Sequence, residues 1–166
     1  MKLKQIIFIT ITVLTLISCG PNLSTTSSLT VATPDIGIPL NSKYLEISAP
    51  SGWNTLKDFG TITLMIQNMS DQQIVFNQDS GIKIFVFAMG KWNEVKNKMT
   101  YSPVEITFVP YKDSDMMTTL GEAMLAPDLT GFPASSKIRI YIIGKLSGNQ
   151  QNTQEIASYV DVMLNP

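Results

Sequence analysis

Residues 61–95 read TITLMIQNMSDQQIVFNQDSGIKIFVFAMGKWNEV, and the pattern of this stretch decides the fold class. Its first run places Ile62, Leu64 and Ile66 at every second position, with mostly polar residues between them. A period of two in β-branched residues predicts a strand that buries one face. The run from Ile82 to Phe87 is apolar on both faces, which predicts a central strand or a strand covered by a loop.

The same alternation recurs in four further runs: Leu45–Ile47, Val104–Phe108, Ile138–Ile142 and Val160–Leu164. Clusters of Asn, Asp, Ser, Gly and Pro separate the runs and predict turns. After the N-terminal leader, Asp115–Leu125 comes nearest to a helical pattern, and Gly121 counts against a helix there. The sequence therefore predicts an all-β fold, a single antiparallel β-sandwich of seven to nine strands.

One part of this pattern resembles a known architecture. A strand ends in Asn68-Met-Ser-Asp71, a short strand follows, and a further strand leads into a Gly90-Lys-Trp92 hairpin. This order resembles the immunoglobulin-like or fibronectin-like modules of bacterial surface proteins. The resemblance implies an Ig-like sandwich in which Trp92 packs between the two sheets, and it implies no activity.

The first residues of the chain form a separate signal. Lys2 and Lys4 precede an apolar run, Ile6–Ile17, of about a dozen residues. A membrane-spanning helix needs about 20 apolar residues, so this run is too short to be one. It is typical of the core of a secretory signal peptide.

The apolar run ends in Leu16-Ile17-Ser18-Cys19, followed by Gly20. This sequence resembles the lipobox of type II bacterial signal peptides, in which an aliphatic residue and a small residue precede a cysteine. The resemblance implies cleavage between Ser18 and Cys19 and a diacylglycerol on the Cys19 sulfur. Two or three acyl chains at this position would hold the protein to a membrane.

The predicted domain organisation follows from these signals and from a shift in composition. We expect a lipoprotein signal peptide at 1–18, a lipidated tether at 19–42, rich in Ser, Thr and Pro, and the Ig-like sandwich at 43–166. An alternative interpretation of the tether adds an edge strand at Leu29–Val31 or Ile36–Leu40. The predicted location is the cell envelope, at the outer membrane or the outer face of the cytoplasmic membrane.

Composition argues against several classes of function. The chain has 12 Lys and Arg against 13 Asp and Glu, a balance unlike that of nucleic-acid-binding proteins. It has no histidine, and its one cysteine is Cys19, so the usual general base and the softest metal ligands are missing from the domain. We predict no catalytic residues, no metal site and no cofactor. Asp113-Ser-Asp115 is better explained as a solvated turn than as a calcium site.

Aromatic residues supply the remaining candidates for a binding site. Trp53, Tyr101 and Tyr111 fall near predicted strand ends, where exposed rings could contact a ligand. Lys145–Glu155 is predicted to be a long polar loop. The predicted function is a lipid-anchored, non-enzymatic module whose partners are the membrane and an envelope protein or glycan. The alternatives are a carbohydrate- or peptidoglycan-binding lipoprotein and a small β-sandwich proteinase inhibitor, a bacterial family that the 61–95 stretch resembles.

Overall fold

The computed structural model describes residues 32–49, 60–77, 79, 81–101, 105–110, 120–133, 136–147 and 153–163. Nine strands lie in these residues: β1 (Leu45–Ser48), β2 (Ile62–Asn68), β3 (Gln73–Asn77), β4 (Ile82–Ala88), β5 (Lys91–Val95), β6 (Glu105–Phe108), β7 (Leu120–Leu125), β8 (Lys137–Ser147) and β9 (Thr153–Met163). This part of the chain contains no helix, and so none that is long and apolar enough to cross a membrane.

The strands form two sheets whose facing sides share one core. The smaller sheet has the order β1-β2-β7, and the larger has the order β5-β4-β8-β3-β6, with β9 on the other edge of β8. Every pair of named strands is antiparallel. Both sheets contribute to a single buried cluster, which includes Ile62, Leu64 and Leu125 from one and Ile84, Ile140 and Ile156 from the other. The predicted all-β sandwich is confirmed.

Strands β3 and β4 behave as one strand with an interruption. β4 pairs with residues 137–142 of β8, and β3 pairs with residues 144–147 of the same edge. Counted as one strand, β3 and β4 take the position of strand C in an immunoglobulin sandwich, and β8 and β9 follow in the positions of strands F and G. In the opposite sheet, β1, β2 and β7 have the order of strands A, B and E. Two strands pair with the edge of the interrupted strand that faces away from β8: β5 pairs with β4, and β6 pairs with β3.

Gly81 closes the interruption between β3 and β4. Its amide donates to the Asn77 carbonyl at 2.6 Å, and its carbonyl accepts from the Ile143 amide at 2.7 Å. A Cβ at this position would lie 2.5 Å from the Asn77 carbonyl oxygen and 2.7 Å from that of Ile143. Gly81 can therefore lie between the Asn77 and Ile143 carbonyls, where β4 begins, only because it has no side chain.

The Asn68–Asp71 turn is held by a buried amide. The Asn68 side chain is fully buried, and its Nδ2 donates to the carbonyls of Gln72 at 2.7 Å and Phe108 at 3.0 Å. Its Oδ1 accepts from the Ser70 amide at 2.9 Å. Because buried polar groups must find partners, this motif is explained by the turn itself and by its link to β6.

Two segments differ from the sequence prediction. Lys145–Glu155 is not a long loop, because β8 continues to Ser147 and pairs there with Thr153 of β9. The polar residues of this hairpin alternate with Leu146 and Ile156, which are buried in the core. The end of the helix candidate, Leu120–Leu125, is strand β7, and Gly121 leaves room there for the Phe108 ring.

The chain before β1 lies against the sandwich. The Asn41 amide donates to the Ala157 carbonyl at 2.7 Å, and the Ala157 amide donates to the Pro39 carbonyl at 3.0 Å. Leu40 thus forms a parallel bridge with β9, which protects the middle of that edge strand. The compact unit that contains the sheets begins at Val31, so the last part of the predicted tether packs on the domain, in line with the edge-strand alternative for Ile36–Leu40.

Candidate functional site

The larger sheet has a second covered surface on the side turned away from the core, which we call the outer face. Direct pairing puts paired side chains on one side of a sheet. Trp92, Phe87, Lys137 and Met163 therefore form one row across β5, β4, β8 and β9, and Glu94, Phe85, Arg139 and Asp161 form the next. Lys83, Tyr141 and Tyr159 form the third row.

Arg139 is the centre of this face. Its guanidinium carbon lies 4.1 Å from the centroid of the Tyr159 ring and 4.9 Å from that of the Trp92 ring. Its Nε and Nη2 donate to the two carboxylate oxygens of Asp161 at 2.7 and 2.9 Å. The planar guanidinium thus stacks on aromatic rings and holds a carboxylate bidentately, two geometries that lysine cannot combine.

Arg139, Lys137 and Asp161, the charged residues of the outer-face cluster, stabilise one another's ionised forms. The hydrogen bonds that Arg139 donates to Asp161 raise the pKa of Arg139 above its already high ordinary value, against the effect of burial. Burial alone would raise the pKa of Asp161, but the hydrogen bonds from Arg139 and Lys137 outweigh it and place this pKa below its ordinary value. Lys137 approaches the same carboxylate at 2.7 Å. Both partners are therefore ionised at neutral pH.

The prediction that Trp92 packs between the sheets is wrong. Trp92 lies opposite Phe87, with ring centroids 5.3 Å apart, on the outer face. The core side of β4 is occupied by Ile84 and Val86 instead. In the absence of a core disulfide for a tryptophan to cover, branched aliphatic residues fill the space between the sheets.

Part of the outer face is covered by the chain before β1. The Tyr141 hydroxyl donates to the Pro34 carbonyl at 3.2 Å, and Arg139 Nη1 donates to the Thr33 hydroxyl at 3.3 Å. Residues 32–35 bound a cavity of about 390 Å³ with Phe85, Gly90, Lys91 and Trp92. The indole Nε1–H of Trp92 is buried and has no acceptor among the described residues.

A second concave surface lies beside the interruption in the long strand, and we call it the split-strand cleft. Its volume is about 580 Å³, and it is lined by Asp79, Ile82, Lys83, Ile84, Glu94, Val95, Lys96, Asn97, Met99 and Tyr101. Four of these residues are charged, two of each sign. In the part of the chain that the structure describes, the three ion pairs formed involve other residues. Among the described residues, the cleft therefore combines charges that form no ion pair with apolar side chains.

Tyr101, a candidate ligand contact, lines this cleft. Its hydroxyl accepts from Asn97 Nδ2 at 2.8 Å and donates to the Met124 carbonyl. Burial raises its pKa, against the hydrogen bond from Asn97, and Asp79 raises it further. The ring also packs against the core cluster. Its hydroxyl is thus occupied, and its ring is half-buried.

The other sequence candidates lie outside the described residues. These are Trp53, Tyr111 and the whole N-terminal signal with Leu16, Ile17, Ser18 and Cys19. The role of Trp53 and Tyr111 as ligand contacts stays a prediction, as does lipidation of Cys19. Asp113 and Asp115 are also outside, and the described residues contain no group of three carboxylates, cysteines or histidines that could hold a metal ion.

The sequence analysis does not predict the outer-face cluster, although the sequence contains a signal for it. In three strands the positions between core residues carry aromatic or paired charged side chains: Phe85 and Phe87, Arg139 and Tyr141, Tyr159 and Asp161. A single strand of this kind is ambiguous, but three adjacent ones indicate that both faces of a sheet are covered. Comparison with known proteins adds no constraint, because no protein family and no curated protein matches this sequence.

Proposed function

We propose that the chain is a lipid-anchored module of the cell envelope that binds a protein partner through the split-strand cleft. The proposed anchor rests on the Leu16–Cys19 sequence and the apolar run before it. The observation that supports the cleft as the binding surface is its combination of apolar area with charges that have no ion-pair partner among the described residues. Concave surfaces that combine an apolar lining with a few polar groups are the usual places for recognition.

The geometry of the cleft suits an extended segment of polypeptide. It lies beside the interruption between β3 and β4, where β5 pairs with one strand and β6 with the other. Charged side chains of both signs line it. Lys83 and Lys96 can pair with carboxylates of a partner, and Asp79 and Glu94 with cations. Apolar contacts to Ile82 and Met99 would supply affinity, while the charges would set orientation and specificity.

Charge reversal in the cleft should abolish capture of the partner. The acylated chain, solubilised from membranes in mild detergent, would be immobilised and exposed to envelope extract, and retained proteins would be identified by mass spectrometry. Lys83→Glu/Lys96→Glu is expected to lose a specific protein that the unchanged chain retains, because two attractive contacts become repulsive. Lys43→Glu/Lys145→Glu, which makes the same charge change outside the cleft, should retain it. Equal retention by both double variants would rule out the cleft.

A second function is supported by the position of Tyr101 in the cleft, which Asn97 and Glu94 also line. An aromatic ring flanked by amide and carboxylate groups is a common arrangement for binding sugars. The same immobilised chain, incubated with purified peptidoglycan fragments, distinguishes the two proposals. Retention of glycan without any specific protein would favour a carbohydrate-binding lipoprotein.

The anchor is tested by Cys19→Ser. Without the thiol no thioether to diacylglycerol can form, so the chain is expected to leave the detergent-rich phase in phase partitioning. We expect it to appear either as an uncleaved precursor or as a soluble protein, and mass spectrometry of the unchanged chain should show the acyl mass on Cys19. Ser18→Ala, which keeps a small residue before the cysteine, is the matched control and should partition as before. Unchanged partitioning of Cys19→Ser would exclude this anchor.

A further inference from the structure

The end of the sandwich that carries the β4–β5 turn has an exposed apolar surface. Met89 in this turn is 96% exposed and Met163 at the end of β9 is 56% exposed, the two highest values among the large apolar residues described as exposed. Trp92 and Lys137 lie in the same row of side chains as Met163, and Lys91 is exposed beside Met89. We call Met89, Gly90, Lys91, Trp92 and Met163 the apolar tip.

The β4–β5 turn has an unfavourable residue, Met89, at a position that requires a positive φ. Met89 has a φ of +53° and Gly90 has a φ of +77°, which places both in the left-handed region. This conformation suits Asn, Asp or Gly and is unfavourable for a residue with a long side chain. A strained backbone that presents an almost fully exposed methionine points to a role for that side chain outside the turn.

The chain that leads to the proposed anchor reaches the domain at this same end. Residues 32–35 bound one cavity with Gly90, Lys91 and Trp92, so the chain that leads toward Cys19 leaves the described domain near the apolar tip. Gly20–Val31 can span at most ~45 Å when fully extended. β8 has 11 residues and is ~35 Å long, so Ser147 and its partner Thr153, at the other end of the β8–β9 pair, lie far from this attachment.

We propose that the apolar tip docks on the surface of the membrane to which the chain is anchored. This inference rests on the proposed lipidation of Cys19. Met89 and Met163 enter the boundary between headgroups and acyl chains, Trp92 lies at the depth where tryptophan is enriched in membrane proteins, and Lys91 faces lipid phosphates. A short tether makes docking intramolecular, so a surface of this small size suffices. The split-strand cleft, further along the sheet, stays accessible.

Docking can be measured with a fluorophore that responds to polarity, attached at Met89→Cys in the full chain. The natural Cys19 is the only cysteine, and its sulfur is blocked once it carries the thioether to diacylglycerol, so labelling is specific. The acylated, labelled protein is reconstituted into vesicles of phosphatidylethanolamine and phosphatidylglycerol, with or without lipids that carry a spin label near the headgroup. We expect a blue shift of emission and strong quenching by the shallow spin label.

Gln73→Cys provides the matched control. Gln73 is exposed and pairs with Ser147, at the opposite end of β8 from Lys137, so a label there should remain in water. Met163→Asp, added to the Met89 label, should restore unquenched emission, because a carboxylate at the tip opposes insertion. Met163 is exposed, so this change leaves the fold intact.

Flotation of the same vesicles separates the two proposals. Protein that floats with the vesicles but shows no quenching at position 89 is anchored without docking, which overturns the inference and leaves the anchor standing. Protein that does not float has no anchor, and both proposals fail. A photo-crosslinker at position 89 that forms one defined protein adduct in intact cells, without quenching in vesicles, assigns the tip to a protein partner instead.

Discussion

Gly81→Ala is expected to lower the free energy of unfolding by about 3 kcal/mol, the upper part of the range for overpacked sites. The new methyl group would overlap two carbonyl oxygens, those of Asn77 and Ile143, which belong to the backbone and cannot rotate away. Relief requires the loss of one of the two hydrogen bonds that Gly81 makes across the interruption. Urea unfolding, followed by tryptophan fluorescence, measures the change.

Gly144→Ala is the matched control, in the neighbouring strand of the same sheet. Its added Cβ would meet Cγ2 of Ile74 at 2.6 Å, and the nearest backbone atom, the Val75 carbonyl oxygen, is 3.4 Å away. The Ile74 methyl can move only if this buried side chain shifts, whereas a backbone carbonyl cannot, so we expect a smaller loss of about 2 kcal/mol. Both substitutions restrict the unfolded chain equally, and that effect cancels in the comparison. Equal losses would show that the interruption between β3 and β4 has no special rigidity.

The sequence predicts the strands well wherever one face is polar. The alternating runs of β2, β6, β8 and β9 can be located in the sequence because burial of one face forces a period of two. The sequence also predicts that β4 is either central or covered by a loop, since a strand that is apolar on both faces must be covered twice. β4 indeed lies between β5 and β8, and its outer side contacts Tyr141, with the Phe85 and Tyr141 ring centroids 5.6 Å apart.

What the sequence does not predict is which partner covers each face. A period of two assigns Phe85 and Phe87 to one side of β4 without stating whether that side is the core. The predicted position of Trp92 rests on a resemblance alone and is wrong for this reason. The Lys145–Glu155 hairpin escapes prediction for a different reason. Its strands are held by backbone hydrogen bonds between β8 and β9, which depend little on the polar side chains.

For the candidate site, too, the sequence predicts one part and not the other. The sequence identifies Tyr101 as an aromatic residue near a strand end, and Tyr101 does line the split-strand cleft. The cleft itself depends on the register between β3, β4 and β8, a contact between residues far apart in the chain. No local pattern contains that register, so the sequence alone cannot group Asp79, Lys83, Glu94 and Lys96.

Arg139→Ala is expected to lower the free energy of unfolding by about 3 kcal/mol, the lower end of the range for breaking a buried ion pair. Its side chain is 9% exposed, whereas the Asp161 side chain is 29% exposed and retains Lys137 as a partner. In this variant, solvent and Lys137 therefore still compensate part of the charge of the Asp161 carboxylate. The stacking on Trp92 and Tyr159 is lost as well. Arg139→Lys should lose less, because it keeps the charge without the bidentate contact.

An exposed ion pair of the same chain serves as the comparison for this prediction. Lys98 approaches Asp128 at 2.9 Å, and their side chains are 57% and 41% exposed. Pairs of this kind contribute little to stability, so Lys98→Ala should leave the urea midpoint unchanged within error. If Lys98→Ala and Arg139→Ala were equally mild, the outer face would be ordinary solvated surface and not a packed second layer.

The pH dependence of stability provides an independent check on the Arg139–Asp161 pair. Because the folded state depresses the pKa of Asp161, the pair stabilises fully above the pKa of an unfolded aspartate, about 3.9, and this contribution is lost as pH falls through the folded value. Asp128, whose pKa is lowered to about 2, first by Thr130 and then by Lys98, adds a similar dependence in the same window. Asp161→Asn removes only the first contribution. The stability difference between the unchanged chain and Asp161→Asn should therefore be constant from about pH 7 to pH 5 and shrink below about pH 4. A difference that stays constant under acid would mean that the carboxylate charge contributes nothing, and that Asp161 acts only as a neutral hydrogen-bond acceptor for the guanidinium.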